Sequence, residues 1–405
     1  DVIFSYDADW GNADSHFPYV YDYFSETFRD RKLFNQEFRA VSDSANFLKD
    51  SFLEWVIGAN YLELKETNLK KDDGLYGDPS DPYGPYASAS SSSSRYKSSN
   101  FSVFGNLDYL LSASLKFSIG LRWEDWEADY SDSLNELFNP ADKMSGGKIS
   151  LIKSMTNETN IYASLAKGYK QGGFNLGLGL DANSTNQNLA YDPEFLTNYE
   201  LGINTKLLDS KINFNGVIFY SYREDQQVLI STQTDPSDPN TFSFLTQNAA
   251  EGVNHGLEIN MDIDIRESLS AFLNLGMLKT EIKNWQSRQD LEGRAQAHAP
   301  EKSYALGLNW APTSDTYLAI DFTGKSSFYY SDSHNNKSKS YVLTNLNLGY
   351  VKNNWSYELW ARNVFDEYYS VRGFYFGNEA PNFIDTLYER HGDPRNIGFS
   401  IRYDF

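Results

Sequence analysis

Asn396-Ile-Gly-Phe-Ser-Ile-Arg-Tyr-Asp-Phe405 is the stretch that decides the fold. Ile397, Phe399, Ile401, Tyr403 and Phe405 are apolar or aromatic, and Gly398, Ser400, Arg402 and Asp404 between them are small or charged. A β-strand sends successive side chains to opposite faces, so the segment has one greasy face and one wet face. The sequence stops on an aromatic residue. One such strand is ordinary in any β-protein, and its meaning depends on whether the pattern repeats.

It repeats along the chain. Leu115, Phe117, Ile119, Leu121 and Trp123 alternate with Lys116, Ser118, Gly120, Arg122 and Glu124. Leu257, Ile259, Met261, Ile263 and Ile265 alternate with Glu258, Asn260, Asp262 and Asp264. Tyr304, Leu306, Leu308 and Trp310 do the same, as do Thr344, Leu346, Leu348 and Tyr350. Trp355, Tyr357, Leu359 and Ala361 continue the series, although Trp360 interrupts its wet face. Charges in the second row are intolerable in a dry sandwich core, whereas a wet lumen accepts them. The pattern predicts an all-β, antiparallel transmembrane barrel, with Phe405 at the membrane interface.

Composition agrees. The 405 residues are 16% aromatic, with 29 Tyr, 27 Phe and 8 Trp, and contain no Cys. Mean hydropathy is −0.56, and no run approaches the roughly 20 apolar residues of a membrane helix. A barrel needs no such run, because alternate residues alone meet lipid. The aromatic excess suits the girdles at the two interfaces. The net charge of −20 leaves no basic surface for phosphates, which argues against nucleic acid. Acidic loops kept soluble by charge account for it, and so does an exterior bridged to lipopolysaccharide by divalent cations.

The connections sort by length. Tight polar turns are expected at Ser112–Ser114, Asn157–Thr159, Leu208–Lys211, Arg266–Ser268, Pro312–Asp315 and Lys352–Asn354. Long stretches fall between them, at 65–95, 130–145, 170–196, 227–240, 283–300, 330–339 and 366–393. With Phe405 on the periplasmic side, every long stretch lands outside and every tight turn inside. A few more strands upstream of residue 65 bring the total to about 16. Within the long stretches, the Ser-rich tract at 88–94 reads as flexible. Asp78-Pro-Ser-Asp-Pro82 and Asp235-Pro-Ser-Asp-Pro239 are turn formers or, as paired carboxylates, Ca²⁺ ligands.

No nucleophile elbow, phosphate-binding loop or paired-His metal motif is present, so neither catalytic residues, a metal site nor a cofactor is assigned. The five His are scattered. His255 lies on an expected strand as a lumen-facing hydrogen-bonder, while His16, His334 and His391 are expected in solvated loops. Arg294 and His298 place a cation and an imidazole in one long outer loop. Phe328-Tyr-Tyr330 and Phe374-Tyr-Phe376 sit where strands leave the membrane, as girdle residues or as stacking platforms for a ligand. Arg294, His298, Tyr329, Tyr330, Arg372 and Tyr375 are therefore the candidate ligand contacts.

Five segments resemble TonB-dependent outer-membrane receptors of the siderophore-receptor kind. Tyr162-Ala-Ser-Leu-Ala-Lys-Gly-Tyr-Lys-Gln-Gly-Gly-Phe-Asn175 carries the signature residues Gly168, Tyr169, Lys170, Gly172, Gly173, Phe174 and Asn175. Pro193-Glu-Phe-Leu-Thr-Asn-Tyr-Glu-Leu-Gly202 follows, with Tyr199 and Glu200. Asn248-Ala-Ala-Glu-Gly-Val-Asn-His-Gly-Leu-Glu258, Asn363-Val-Phe-Asp-Glu-Tyr-Tyr369 and Gly392-Asp-Pro-Arg-Asn-Ile-Gly398 complete the family order. The resemblance implies a barrel of about 22 strands closed around a plug. Residues 1–405 would then form one barrel domain lacking its plug and roughly six initial strands. It further implies a Gram-negative outer-membrane location and energised uptake of a scarce ligand, an iron–siderophore complex foremost. The TonB complex would act through the missing amino-terminal part. The barrel-assembly machinery would read Phe399, Ile401, Tyr403 and Phe405, and outer-membrane lipid would surround the wall. A passive 16-stranded porin and a receptor for cobalamin or a glycan are the alternatives. Glu200 is expected on the lumen-facing row, packed against the plug.

Overall fold

The computed structural model describes residues 2–9, 20–42, 53–77, 86–175, 190–233, 242–285, 288–332, 334–376, 384 and 386–405. These form β1 (Val2–Asp9), β2 (Val20–Val41), β3 (Leu53–Gly77), β4 (Tyr86–Ser112), β5 (Leu115–Asp132), β6 (Leu137–Phe138) and β7 (Ala141–Ser154). Then come β8 (Thr159–Lys170), β9 (Gly173–Phe174), β10 (Ala190–Tyr191), β11 (Glu194–Leu207), β12 (Ile212–Gln233), β13 (Phe242–Arg266) and β14 (Leu269–Asn284). The chain finishes with β15 (Lys302–Thr313), β16 (Thr316–Lys325), β17 (Tyr341–Lys352), β18 (Trp355–Arg362), β19 (Ser370–Phe376), β20 (Thr386–His391) and β21 (Asn396–Tyr403). No α-helix occurs among the described residues; a 3₁₀ turn covers Gln289–Leu291.

Seventeen strands share one sheet. β6 is a two-residue strip beside β5, which leaves sixteen wall strands, each paired antiparallel with the next. The all-β expectation and its strand count are thereby met. β19 and β20 make a separate hairpin in the β18–β21 connection. The tight turns fall where the alternation placed them, including Asn353-Asn354, where Asn353 takes φ 54°; asparagine tolerates this left-handed conformation better than most residues.

The lipid-facing row is visible on β5. Leu115 to Trp123 spans eight intervals of about 3.4 Å, roughly 27 Å of strand, which at a tilt of about 40° rises roughly 21 Å and covers most of the apolar band of about 25 Å on such barrels. Leu121 in that row is 63% exposed, on the face of the wall that lipid would cover. Above Trp123 the same row turns to Asp125, Glu127 and Asp129, so β5 continues out of the membrane as a wet wall.

Several expectations are corrected. Residues 65–95 are mostly strand, because β3 runs to Gly77 and β4 starts at Tyr86. The Ser-rich tract at 88–94 is paired rather than flexible, with Ser90↔Asp72, Ser92↔Lys70 and Ser94↔Asn68 in register. Serine has little strand preference of its own, and here the β3 backbone supplies the ladder. Likewise β5, β7 and β12 run into the expected loops at 130–145 and 227–240. His255 shares the outward row of Leu257 and Ile259, not the lumen row. It stacks at 6.3 Å on Tyr220, which neighbours Tyr199 at 6.4 Å, so the three form a ladder at the upper interface. Trp360 lies across from Gly398, where a Cβ would come within 2.1 Å of its ring. The missing side chain is what seats the indole on the wet face. Both Asp-Pro-Ser-Asp-Pro segments and His16 lie outside the described residues.

Candidate functional site: the outer rim

The five sequence motifs converge where strands leave the membrane on the long-loop side, and each fastens one connection to its neighbours. Tyr169 donates its hydroxyl to Glu124 Oε2 (3.0 Å) and packs on Trp126, Ala128 and Met144. Gly172 N–H donates to Asp142 Oδ2 at 3.2 Å. A Cβ at Gly172 would strike the Tyr191 carbonyl at 2.5 Å, so the backbone approaches as only glycine permits. Gly173 lies under the Tyr191 ring in the same way. Phe174 stacks on Phe138 with centroids 5.0 Å apart, and touches Tyr130 at 5.3 Å.

Asn175 is 8% exposed. Its carboxamide accepts from Thr246 N–H (2.7 Å) and donates to Thr246 O (2.8 Å). At that height β13 has no β14 neighbour, the pairing starting only at Glu251. The side chain therefore replaces a strand and satisfies an otherwise open edge. Lys170 stays exposed on the end of β8, beside Glu194 in register.

Glu194, buried, accepts from Arg223 Nε (2.8 Å) and Nη2 on Oε1 and from Gln227 N–H on Oε2 at 2.9 Å. Asn248 donates to the carbonyls of Asp192 and Asp225, each at 2.8 Å, and accepts from Asp192 N–H at 2.5 Å. It closes the irregularity between Arg223 and Gln227, where Asp225 takes φ 53°. Asn363 (φ 48°) accepts from Glu367 N–H at 2.8 Å and donates to the carbonyls of Glu367 (2.9 Å) and Asp393 (3.1 Å). Asp366 accepts from Arg395 N–H at 2.7 Å. Glu200 lies on the lumen row as expected, held by Asn198 at 2.7 Å, while Tyr199 faces outward, half exposed.

A second cluster gathers the six candidate ligand contacts. Arg294, from the β14–β15 connection, reaches the β16–β17 connection. It donates to the carbonyls of His334 (2.9 Å) and Ser331 (3.1 Å), and to Asn335 Oδ1 and Asp332 Oδ1 (2.9 Å each). Its guanidinium lies 4.4 Å from the Tyr329 ring, and Lys337 Nζ lies 4.2 Å from the same ring. His298 N–H donates to Tyr329 O at 2.8 Å, and its ring rests 5.6 Å from Phe328. Tyr330 is 2% exposed and donates to Glu389 on the β19–β20 hairpin. Burial first, and that carboxylate second, push its phenol up to about 12. Tyr375 accepts from Asn336 Nδ2 at 2.7 Å and meets His334 edge-on at 5.0 Å, while Arg372 extends into solvent.

Three outer connections are thus bound into one body. Phe328 and Tyr330 belong to its interior, not to the lipid girdle. His334 is half-buried rather than solvated, and burial, with the Arg294 charge behind it, holds its imidazole below the ordinary range. His391 is paired with Tyr368 (2.6 Å) and Ser370 (3.2 Å). The partners Asp332, His334 and Glu389 escaped sequence reasoning because 38 to 59 residues separate them from the groups they hold; no local spacing carries such a contact.

Fold and rim together define a membrane β-barrel whose outer openings are shaped by fastened loops, the architecture of a receptor or transporter rather than an enzyme. The family model "TonB dependent receptor-like, beta-barrel" matches residues 2–364, and the chain belongs to that family, whose barrels are outer-membrane proteins. The ferric-pyoverdine 358 receptor of Pseudomonas putida is 22% identical over 377 residues, 87% of this chain and 42% of that protein. The pesticin receptor of Yersinia pestis is 23% identical over 269 residues, 64% of this chain and 36% of that protein. The chain thus spans about two fifths or less of the length of these curated relatives. The ferric yersiniabactin uptake receptor FyuA from Yersinia pestis superimposes with a TM-score of 0.71 at 18% identity, covering 100% of this chain and 58% of that one. The copper transporter OprC gives 0.70 at 14% identity, covering 96% and 61%. At these identities the two structures speak to fold alone.

Proposed function

We propose that this wall belongs to a receptor-transporter of a Gram-negative outer membrane that takes up a scarce metal–chelator complex, a ferric siderophore foremost, with energy delivered through TonB. The match to the receptor barrel family over residues 2–364 carries the reading. The printed names of the relatives, receptors for ferric pyoverdine and pesticin among them, support the ligand class. In this reading a plug and a TonB-engaging segment, both outside this sequence, complete the machine. The barrel-assembly machinery reads the aromatic row ending at Phe405.

The rim supports a division of labour among the six candidates. Arg294 and Tyr330 spend their polar groups on neighbouring loops, so they position the vestibule. Arg372, Tyr375 and Tyr329 keep surface toward solvent and are the groups left to touch cargo, by charge and by ring stacking. Binding by the intact receptor tests this, using a panel of ferric siderophores of different charge, cobalamin and a neutral oligosaccharide. We expect saturable binding of a ferric complex that Arg372→Ala with Tyr375→Ala weakens while the barrel stays folded. Saturable binding of cobalamin or the oligosaccharide alone would replace the cargo assignment.

A further inference from the structure

The β19–β20 hairpin stands apart from the wall, its two strands forming a sheet of their own. Its feet are Asn363 and Asp366 on one side, both in the left-handed conformation, and Gly392 on the other, whose N–H donates to Tyr369 O at 2.9 Å. An isolated two-stranded hairpin is marginal in water, so its position depends on what it leans on. It carries Arg372 and Tyr375, which makes that position consequential.

One face of the hairpin leans on the β16–β17 connection. Gly373 and Tyr375 of β19 share that face with Glu389, which lies opposite Gly373. A side chain on Gly373 would strike the Tyr330 ring, so glycine lets the ring lie against β19, and Tyr330 donates to Glu389. Asn336 Nδ2 donates to the Tyr375 hydroxyl at 2.7 Å. Asn336 is itself held from behind, its N–H donating to His334 Nδ1 at 3.3 Å, while the His334 ring meets Tyr375 edge-on at 5.0 Å. His334 positions Asn336, and Asn336 hooks the hairpin. This clip requires a neutral ring. An imidazolium has two N–H donors and no acceptor, so a second proton on His334 turns an N–H against the Asn336 N–H and removes the bond.

The charges at the joint do not favour that proton. On the rim, Arg294 donates to the His334 carbonyl at 2.9 Å and Lys337 lies on Tyr329. On the hairpin, Arg372 stands opposite Arg390. The facing carboxylates are already engaged, Asp332 by Arg294 at 2.9 Å and Glu389 by Tyr330; the Arg288–Asp290 pair stands behind Asp332. His298, more exposed, faces Arg372 and Asp332 and adds a second imidazole to the same balance. Burial, and then Arg294 for His334 and Arg372 for His298, hold both rings below the ordinary imidazole range, so acid protonates the unclipped form first. We infer that the β19–β20 hairpin is a strap on the outer rim, clipped in place through His334 and Asn336, and that acid unclips it by protonating His334. Arg372 and Tyr375 are then presented in their observed places only in the clipped state. Their role toward cargo rests on the proposed function; the strap and its release do not.

Spin labels on the intact receptor test this without any cargo, one at Lys339→Cys on the rim and one at Thr386→Cys on the hairpin; these 405 residues hold no other thiol. Double electron–electron resonance should give one short distance at about pH 7.5 and a second, longer population at about pH 5.5, two values that bracket the imidazole range. Roughly one pH unit below the ordinary imidazole value, His334 raises the ratio of open to clipped hairpin up to about tenfold. His334→Asn keeps a side-chain oxygen that can accept from the Asn336 N–H but cannot titrate, so it should lose most of that response, the remainder belonging to His298. Identical distributions at the two pH values in the receptor that carries only the labels would overturn the inference, and so would a full response in His334→Asn. An equal widening between Lys339→Cys and Glu292→Cys, both on the rim, would also overturn it, because the rim as a body would then be loosening.

Discussion

Asn175→Ala isolates what the signature motif does. The asparagine meets the open edge of β13 at Thr246, accepting one bond from its N–H at 2.7 Å and donating one from its carboxamide to the carbonyl at 2.8 Å. Alanine leaves a peptide N–H and C=O without partners. Each orphaned buried group costs about 1–3 kcal/mol. Thr246 is half-buried, so water recovers part of that, and the lower end, about 1–1.5 kcal/mol each, applies. The sum of about 2–3 kcal/mol raises the local opening constant roughly 30- to 150-fold, at 1.36 kcal/mol per decade. It should not unfold the wall, because β12 still pairs with β13 through this region. Hydrogen exchange followed by mass spectrometry on peptides covering 242–250 measures it directly. The Thr246 amide should exchange about 30- to 150-fold faster while peptides from Leu257 to Ile265 stay unchanged. Unchanged protection at 242–250 would refute the idea that this side chain replaces a strand.

Three further outcomes are expected. Glu194→Gln removes the counter-charge of Arg223, whose side chain is 28% exposed, and should destabilise the rim by about 1–3 kcal/mol, read as accelerated protease cleavage between residues 171 and 193. For His334, the folded pKa lies below the ordinary 6.5, so falling pH protonates the opened loop before the closed one. Rim stability should be flat above pH 6.5 and decline below it until the folded pKa is reached, with protease nicking at 326–340 as the readout; His334→Phe should make the profile shallower, the remaining slope belonging to His298, whose imidazole burial also holds below the ordinary range. Phe405→Asp, at an exposed aromatic that meets Tyr403 edge-on at 5.0 Å, should lower the amount of heat-modifiable barrel in outer-membrane fractions; normal assembly would dismiss the terminal aromatic as a signal.

How much of this was legible in the sequence follows from the range of each interaction. A period of two is local, so the row Leu115 to Trp123 and the final strand announced themselves, and the tight turns fixed the parity of the wall. The Ser-rich part of β4 did not, because its strand state comes from β3 rather than from its own residues. The polarity of His255 points to the lumen, whereas the parity it shares with Leu257, two residues on, places it on the outward face. At the rim the motif residues were visible while their work was not. Asn175 acts on Thr246, 71 residues away, and Arg294 on Asp332, 38 residues away, and no spacing rule connects such pairs.

The most direct test of the account is transport by the intact receptor in cells that have or lack TonB, using the ferric complex that binds best. The account predicts accumulation of the labelled metal that requires both the receptor and TonB and that collapses when the inner-membrane proton gradient is dissipated. Accumulation that proceeds at the same rate without TonB would contradict it and would make this wall a passive pore.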